Sequence, residues 1–406
     1  MNLMAFYYES DGISVDCIME APQSRPWSDL QPELLGLILK RLPVLADRVR
    51  LRAVCQPWRS NSLEQHLPLP FPWLTLPDGT FLNIPGGEIH RMPIPEGACF
   101  QGSIDNWLFL THNDDVCSLM NPFSNTTLEL PKLAREWKRV IGPCSRFEPV
   151  FYKLAVPSAL DSSPNSLVAA LITDNSNCST LCISQPPIAT DSLRGDRYPL
   201  TSLSDIAFFD GKLYTLGGFG KLSIFELDKD LVISSIGKII DSLGDLGGVP
   251  QPLASEKPFI TREYLVECGG RLLMVTRRIH WVNISASDDV FEDRRTATLE
   301  VFEADLQSRP RRRWRRVHDL GGHALFLGQH GSKTLPAGEC SGYQEDCIYF
   351  MCDYPWPSSS ANPLRDSGVY NVRNGRITPL MSEAAAAPLE RVGQWRPAWV
   401  FPSVAM

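Results

Sequence analysis

The stretch from Trp27 to Arg59 constrains this 406-residue chain more than any other, because it gathers more apolar surface than a unit of its size can hide. It reads W-S-D-L-Q-P-E-L-L-G-L-I-L-K-R-L and, further on, L-R-A-V-C-Q-P-W-R. Ser28 or Asp29 is suited to cap a helix, Pro32 supplies the preset φ tolerated in a first turn, and Glu33 sits at the positive end of the helix dipole. A helix is expected to start here. Leu34, Leu35, Leu37, Ile38, Leu39 and Leu42 place apolar side chains on nearly every face of it rather than on one stripe of period 3.6. Pro43 ends it, a second helical run is expected from about Val44 to Val54, and Gln56, Pro57 and Trp58 open a third short helix. A unit of about 40 residues hides little of its own surface. One apolar face is left over, for another protein or for the rest of the chain to cover.

These residues resemble an F-box, the small helical module that docks F-box proteins onto the Skp adaptor of Skp, cullin and F-box ubiquitin ligases. Leu30, Gln31, Pro32, Glu33, Leu34 and Leu35 follow the first half of that pattern, with Gln31 standing where the family has a leucine-proline step. Leu51, Arg52, Ala53, Val54, Cys55, Trp58 and Arg59 follow the second half more closely. The resemblance implies an adaptor-binding set carried over by motif position: Leu30, Pro32, Glu33, Leu34, Leu35, Ile38, Leu42, Val54, Cys55 and Trp58, lying at or beneath the interface.

Composition narrows the rest. A hydrophobic content of 43% and a charged content of 21% are ordinary for a folded protein. A net charge of -7 argues against a dedicated nucleic-acid binder. Residues 1–25 carry Glu9, Asp11, Asp16 and Glu20 against a single Arg25, lack the pattern of a secretory signal, and are expected to form a disordered tail. No run approaches 18 apolar residues, so no membrane span is expected. Eleven scattered cysteines read as reduced thiols of an intracellular protein of nucleus or cytoplasm.

The expected divisions are a helical unit over 26–66, a stiff connector over 67–73 marked by the prolines of H-L-P-L-P-F-P-W, and one large domain over 74–403. In that domain the helical period disappears, and short apolar runs rich in β-branched and aromatic residues alternate with Gly, Asn, Asp and Pro turns. Several share a shape, as in Asn106-Trp107-Leu108, Asp210-Gly211-Lys212-Leu213, Gly269-Gly270-Arg271-Leu272 and Asp346-Cys347-Ile348. With Leu108, Val168, Leu213, Leu272 and Ile348 as anchors, the repeats lie 60, 45, 59 and 76 residues apart. That spacing fits repeats of about 40 to 50 residues with insertions. The fold class is mainly β: a propeller of about six or seven blades behind a three-helix unit. Ring closure requires the two ends to share a blade, and Trp73-Leu74-Thr75-Leu76 with Trp399-Val400-Phe401 is the expected seam. P-W-L-T-L-P-D-G-T-F, L-M-N-P-F-S-N, W-R-R-V-H-D-L-G-G-H-A-L-F-L-G, C-I-Y-F and W-V-F-P-S, in that order after an F-box, resemble the plant F-box proteins with a KIB-type β-propeller.

Other constellations read as structure. Asp288, Asp289, Glu292 and Asp293 crowd a stretch read as a solvated loop between strands, without the ligand spacing of a calcium loop. Arg309 to Arg316 flanks Trp314 with cations and reads as a solvated strand edge, with nuclear import and nucleic-acid binding as the sharper alternatives. Cys340, Cys347 and Cys352, Cys178 and Cys182, and His318, His323 and His330 lack the knuckle spacing zinc requires, so no metal or cofactor is expected. The leading expectation is a non-enzymatic receptor that binds a Skp-family adaptor, through it a cullin, and on its propeller an unidentified target protein. The alternatives are a scaffold whose F-box has lost the adaptor, with Gln31 as motive, and a propeller carbohydrate hydrolase with carboxylates on its axis.

Overall fold

The structure, a computed structural model, describes residues 26–402 except for short stretches, the longest being 142–150, 186–199, 244–258, 354–363 and 382–396. The expected tail, 1–25, lies outside the described residues. Three helices come first: α1 (Pro32–Lys40), α2 (Leu45–Arg52) and α3 (Gln56–Leu63). α1 starts later than Ser28 or Asp29 would have it. Pro32 drives the residue before it into extended backbone, and Gln31, at φ -59 and ψ 140, becomes an N-cap without a side-chain bond. Trp27–Asp29 form a separate 3-10 turn, and the Ser28 hydroxyl donates to Asp29 at 3.1 Å.

Six sheets follow, arranged as the blades of a propeller. Their innermost strands are Trp399–Val400, Ala98–Ile104, Phe151–Ala155, Leu203–Phe209, Phe259–Cys268 and Lys333–Pro336, blades 1 to 6 in that order, and from blade 1 round to blade 6 each adjoins the next. The ring closes at the expected seam: Trp73 pairs with Val400 and Leu74 with Trp399, antiparallel. The C-terminal strand is thus the innermost of a blade whose other strands begin at Trp73. Trp399 is buried, its indole donates to the Leu327 carbonyl at 3.0 Å, and its ring meets Phe326 edge-on.

In blades 2, 4 and 5 the first and second strands are joined by two-residue turns, Asp105-Asn106, Asp210-Gly211 and Gly269-Gly270. Asp105, Asp210 and both residues of the last pair have positive φ, the backbone that the tight, twist-matched hairpin turn demands and that Asp and Gly tolerate. These turns mark one end of the ring; the turns between second and third strands mark the other. Leu108, Val168, Leu213 and Leu272 all fall on second strands.

Blade 6 departs from the pattern. His323–Phe326 inserts between the innermost strand and Cys347–Phe350, and runs parallel to the latter. The segment 327–332 then crosses toward blades 2 and 3, where His330 Nδ1 donates to the Tyr152 carbonyl at 2.9 Å and the two rings stack. Between blades 2 and 3 lies α4 (Pro131–Ile141), which buries Leu133 and packs Trp137 edge-on against Phe109 and Tyr152.

A further expectation requires correction. The acidic stretch is a strand rather than a loop: Arg271–Ala286 and Asp289–Asp305 pair as far as Ala286 with Asp289, with Glu292 opposite Asn283 and Asp293 opposite Val282. The β-branched and aromatic residues Val282, Ile284, Val290 and Phe291 favour that ribbon over a loop; Asp288 lies outside the described residues. In the segment expected as a stiff connector, 67–73, Phe71 and Pro72 are buried and Phe71 sits edge-on to Phe326 and Tyr349. Prolines bring no N–H, so such a segment can be buried with few orphaned donors. The basic run ends, as read, in an edge strand, Arg313–Val317, with Trp314 fully buried and Arg316 paired to Glu300 at 3.0 Å.

Candidate functional site

The helical unit resolves the excess of leucines in α1 into two faces. Leu35 and Leu39 are fully buried, whereas Leu34, Leu37 and Ile38 are 46%, 49% and 38% exposed. Spaced i, i+3 and i+4, these three form one solvent-facing stripe. Val54 at 62% and Leu63 at 56% are also exposed. On the inner side, a Cβ at buried Gly36 would meet the tip of the Gln65 side chain at 2.3 Å, so that side chain would have to shift. The Gln65 amide itself donates to the Pro32 carbonyl at 3.4 Å. The Trp58 indole donates to the Trp27 carbonyl at 2.9 Å, tying α3 to the turn before α1.

Of the residues carried over by motif position, Pro32, Glu33, Leu34, Ile38 and Val54 are exposed. Leu30, Leu42, Cys55 and Trp58 are half-buried, and Leu35 belongs to the interior. The Leu42 carbonyl accepts the Arg48 Nε–H at 2.6 Å. Leu37 and Leu63 are absent from that set and belong to the exposed apolar surface. The i, i+3, i+4 spacing could have revealed Leu37; the burial of Leu35 and Leu39, which breaks the symmetry of the helix, is visible only in the fold.

α2 joins the unit to the ring. Leu45 is buried in one cluster with Trp73, Phe81, Leu108, Leu110, Met120 and Val400. Arg48, fully buried, is held down at about 10 by burial and by Arg52, with Tyr343 opposing. Phe71 lies 6.2 Å from the same Tyr343. The unit therefore sits where the chain enters the second strand of blade 1, at the end of the ring that carries the two-residue turns.

At that end the axis opens into a cavity of about 940 Å³ whose lining includes Asp105, Lys153, Asp210, Lys212, Glu267 and Lys333. Two of these carboxylates, Asp105 and Glu267, are engaged, while Asp210 is exposed in its turn. Lys333 binds Asp105 at 2.6 Å, and the Glu267 carboxylate accepts the Gly270 N–H at 2.8 Å. Lys153 pairs with Asp205, which also accepts the backbone N–H groups of Ile206 and Leu265, each at 2.7 Å. Burial pushes the Asp205 carboxyl up while the lysine and both amides pull it back. The Asp205 bonds tie blades 3, 4 and 5 together, and the Lys333–Asp105 pair reaches across from blade 6 to blade 2. Among the described residues no group of three His, Cys, Asp or Glu side chains is placed to hold a metal ion, and no helix is long and apolar enough to cross a membrane.

Comparison with known proteins agrees with both halves. The F-box domain model matches residues 27–67, and the KIB1-4 beta-propeller model matches residues 81–371. "F-box protein SKIP23" of Arabidopsis thaliana is 22% identical over 398 residues, covering 86% of this chain and 90% of the relative. "Putative F-box protein At5g55150" of the same plant is 23% identical over 380 residues, covering 87% and 92%. Among solved structures, "YCF48 from Cyanidioschyzon merolae" aligns at 12% identity over 65% of this chain and 88% of its own, with a TM-score of 0.24. The fold and its helical face define a plant F-box protein with a β-propeller. The chain belongs to the KIB1-4 β-propeller family. An F-box joined to a propeller supports, in general terms, the role of substrate receptor in a Skp, cullin and F-box ligase.

Proposed function

We propose that the chain is the target-recruiting subunit of such a ligase in nucleus or cytoplasm: α1 docks on a Skp-family adaptor and through it a cullin, and the propeller holds a protein for ubiquitin transfer. The observation that carries this is the exposed stripe Leu34, Leu37 and Ile38, an apolar face left uncovered although Leu35 and Leu39 satisfy the unit's own core. Side chains that lose water on docking supply most of the energy of an interface. The reading asks no chemistry of the propeller, and Asp105, Asp205 and Glu267 near its axis are committed to ion pairs and backbone N–H groups. Gln31, the motive for a degenerate F-box, is exposed and still gives α1 its N-terminus ahead of Pro32.

The test is co-expression of the full chain with a Skp-family adaptor, followed by gel filtration. Co-elution is expected for the wild type and its loss for Leu34→Asp, since the aspartate would lose hydration at the centre of the interface. A folded Leu34→Asp chain that still co-elutes removes the proposed face. A folded wild type that never co-elutes favours the scaffold.

A further inference from the structure

The outermost strand of a blade offers unpaired backbone N–H and C=O groups to any strand that meets it, and proteins blunt such edges with charge or by keeping them short. Among the described residues five of the six blades do so. The edge of blade 1, Glu88–Arg91, has four residues with Glu88, His90 and Arg91 among them, and that of blade 5, Arg313–Val317, carries three arginines. Thr126–Glu129 of blade 2 has four residues and leads straight into α4. Leu200–Thr201 of blade 3 and Ile377–Thr378 of blade 6 have two each. Blade 4 is the exception. Its outermost strand, Ile233–Ile240, runs for eight residues, reads I-S-S-I-G-K-I-I and carries a single charge, Lys238.

On its inner side this strand pairs with Lys221–Leu227; the register skips Ser234 and Ile239 and is unbroken from Ser235 to Lys238. No described strand pairs with its outer side. Within the unbroken run Ile236 is 39% exposed. The polar side chains are turned back onto blade 4: the Ser234 hydroxyl donates to the Glu226 carbonyl at 3.0 Å, the Ser235 hydroxyl to the Glu226 carboxylate at 2.7 Å, and Lys238 pairs with Asp241. The charge of the edge is thereby neutralised within its own chain. Every second residue still turns its N–H and C=O away from the blade.

We infer that a second copy of this chain adds to this edge through the same strand, antiparallel, so that two four-stranded blades become one eight-stranded sheet. Only a strand can match a row of bare backbone groups, and the side chains of this one match themselves. Opposite residues of an antiparallel pair must turn their backbone groups the same way, so two identical strands related by a two-fold axis pair only in registers that set one residue opposite itself. Within the unbroken run the central registers are those about Ile236 and about Gly237. The second sets Ile236 against Lys238 and leaves glycine on glycine at the axis. The first sets Ile236 on Ile236, Ser235 on Gly237 and Lys238 on the second copy's Ser234, with no like charges opposed. Each chain has one such edge, so the contact is isologous and closes at two copies. Blade 4 stands across the axis from blade 1, where the helical unit is buried against the ring, and the exposed stripe of α1 stays free in the pair. Pairing of this kind does not depend on the receptor reading.

The test is sedimentation of the purified full chain from about 1 to about 100 μM, a range that reveals a micromolar dimer. The wild type is expected to pass from one to two chain masses and no further. Ile236→Lys sets two ammonium groups opposite each other at the axis and is expected to weaken the dimer at least about tenfold, with the thermal midpoint of the wild type. Leu34→Asp, the variant that probes the adaptor face, is expected to dimerise as the wild type does. Ile236→Cys brings two thiols onto residues whose Cα atoms lie about 4.5–5.5 Å apart, within disulfide reach, so mild oxidation should yield a dimer whose linked peptides are 236 to 236. A wild type that stays monomeric throughout overturns the proposal and leaves the edge to an extended segment of another protein. Species that grow beyond two copies overturn the closed pair. A dimer indifferent to Ile236→Lys, a dimer lost in Leu34→Asp, or oxidation that links other cysteines but never 236 to 236 places the contact elsewhere and overturns it too.

Discussion

The most demanding prediction concerns Arg277, which joins blade 5 to blade 6. Its guanidinium is fully buried and uses its whole fork: Nη1 donates to Asp353 at 3.0 Å and to the Met351 carbonyl at 2.9 Å, Nη2 to Asp366 at 2.8 Å, and Nε to the Thr296 hydroxyl at 2.8 Å. Asp353 also accepts the Tyr264 hydroxyl at 3.1 Å, and Asp366 accepts the Thr296 N–H at 2.8 Å. Burial pushes the Asp353 carboxyl up, and Arg277 is the main force pulling it back. Arg277→Met keeps the apolar stem but strands two buried carboxylates, a change worth about 3–5 kcal/mol at neutral pH. A ring of about 330 residues unfolds with an entropy of about 0.7 kcal/mol/K, so the thermal midpoint should fall by about 4–7 °C. The pH dependence has a definite sign. Without the arginine, burial leaves the folded Asp353 carboxyl above the unfolded value of about 3.9, so the folded state binds a proton there more readily than the unfolded chain. That part of the penalty is therefore full above the folded value and fades as pH falls toward 4. Scanning fluorimetry at pH 7 and pH 5 should show a smaller deficit at pH 5. Adding Asp353→Asn and Asp366→Asn should recover at least half of the neutral-pH loss. A midpoint within about 1 °C of wild type at pH 7, or a deficit equal at both pH values, would refute the reasoning.

Two further outcomes follow from buried groups. Burial pushes Glu263 up to about 7 against the pull of the Gly220 N–H. The folded value lies above the unfolded one, so stability should decline as pH rises from about 4.5 to 7; Glu263→Gln should flatten that slope and add on the order of 1–3 kcal/mol at pH 8, read by urea titration. A variant with the wild-type slope would discount Glu263 as its source. Trp399→Ala removes a large buried side chain at the seam and should cost about 3–5 kcal/mol. It should also speed amide exchange in Trp73–Thr75 ahead of other strands, and unchanged exchange there would show that closure does not depend on this tryptophan.

How far the fold was legible depended on whether a local signal had only one structural use. Asp210-Gly211 and Gly269-Gly270 announced hairpins because positive φ is tolerated by few residues, and the aromatic runs at 73–76 and 399–401 announced the seam because a ring must be closed by its two ends. The helical unit was legible down to its helix order. Blade number was left at six or seven because insertions blur the period, and the parallel strand His323–Phe326 of blade 6 carries the same apolar alternation as any other strand. α4 was readable in principle, since Leu133 and Trp137 are one turn apart, but it stands alone among strands. The acidic ribbon of blade 5 was read as a loop because charge was weighed above the β-branched residues between the charges. At the candidate site, motif position marked the residues of α1 but could not separate Leu34 from Leu35, adjacent residues with the same side chain and opposite fates.

Closing the ring with its last strand also decides where the helical unit must stand. Because Trp399–Val400 supplies the innermost strand of blade 1, the first strand of the N-terminal side is the second of that blade, and second strands begin at the end of the ring with the two-residue turns. The helices preceding Trp73 are delivered to that end by topology, and Leu45 and Phe71 fix them there by burial. The turns between second and third strands are left at the opposite end, away from the helices and free to lengthen, as in blade 5. Substitutions confined to those turns should consequently add to changes at Leu34 without coupling when stability is measured by urea titration, as expected for distant sites with no shared partner; an interaction energy well above about 0.5 kcal/mol would refute the argument.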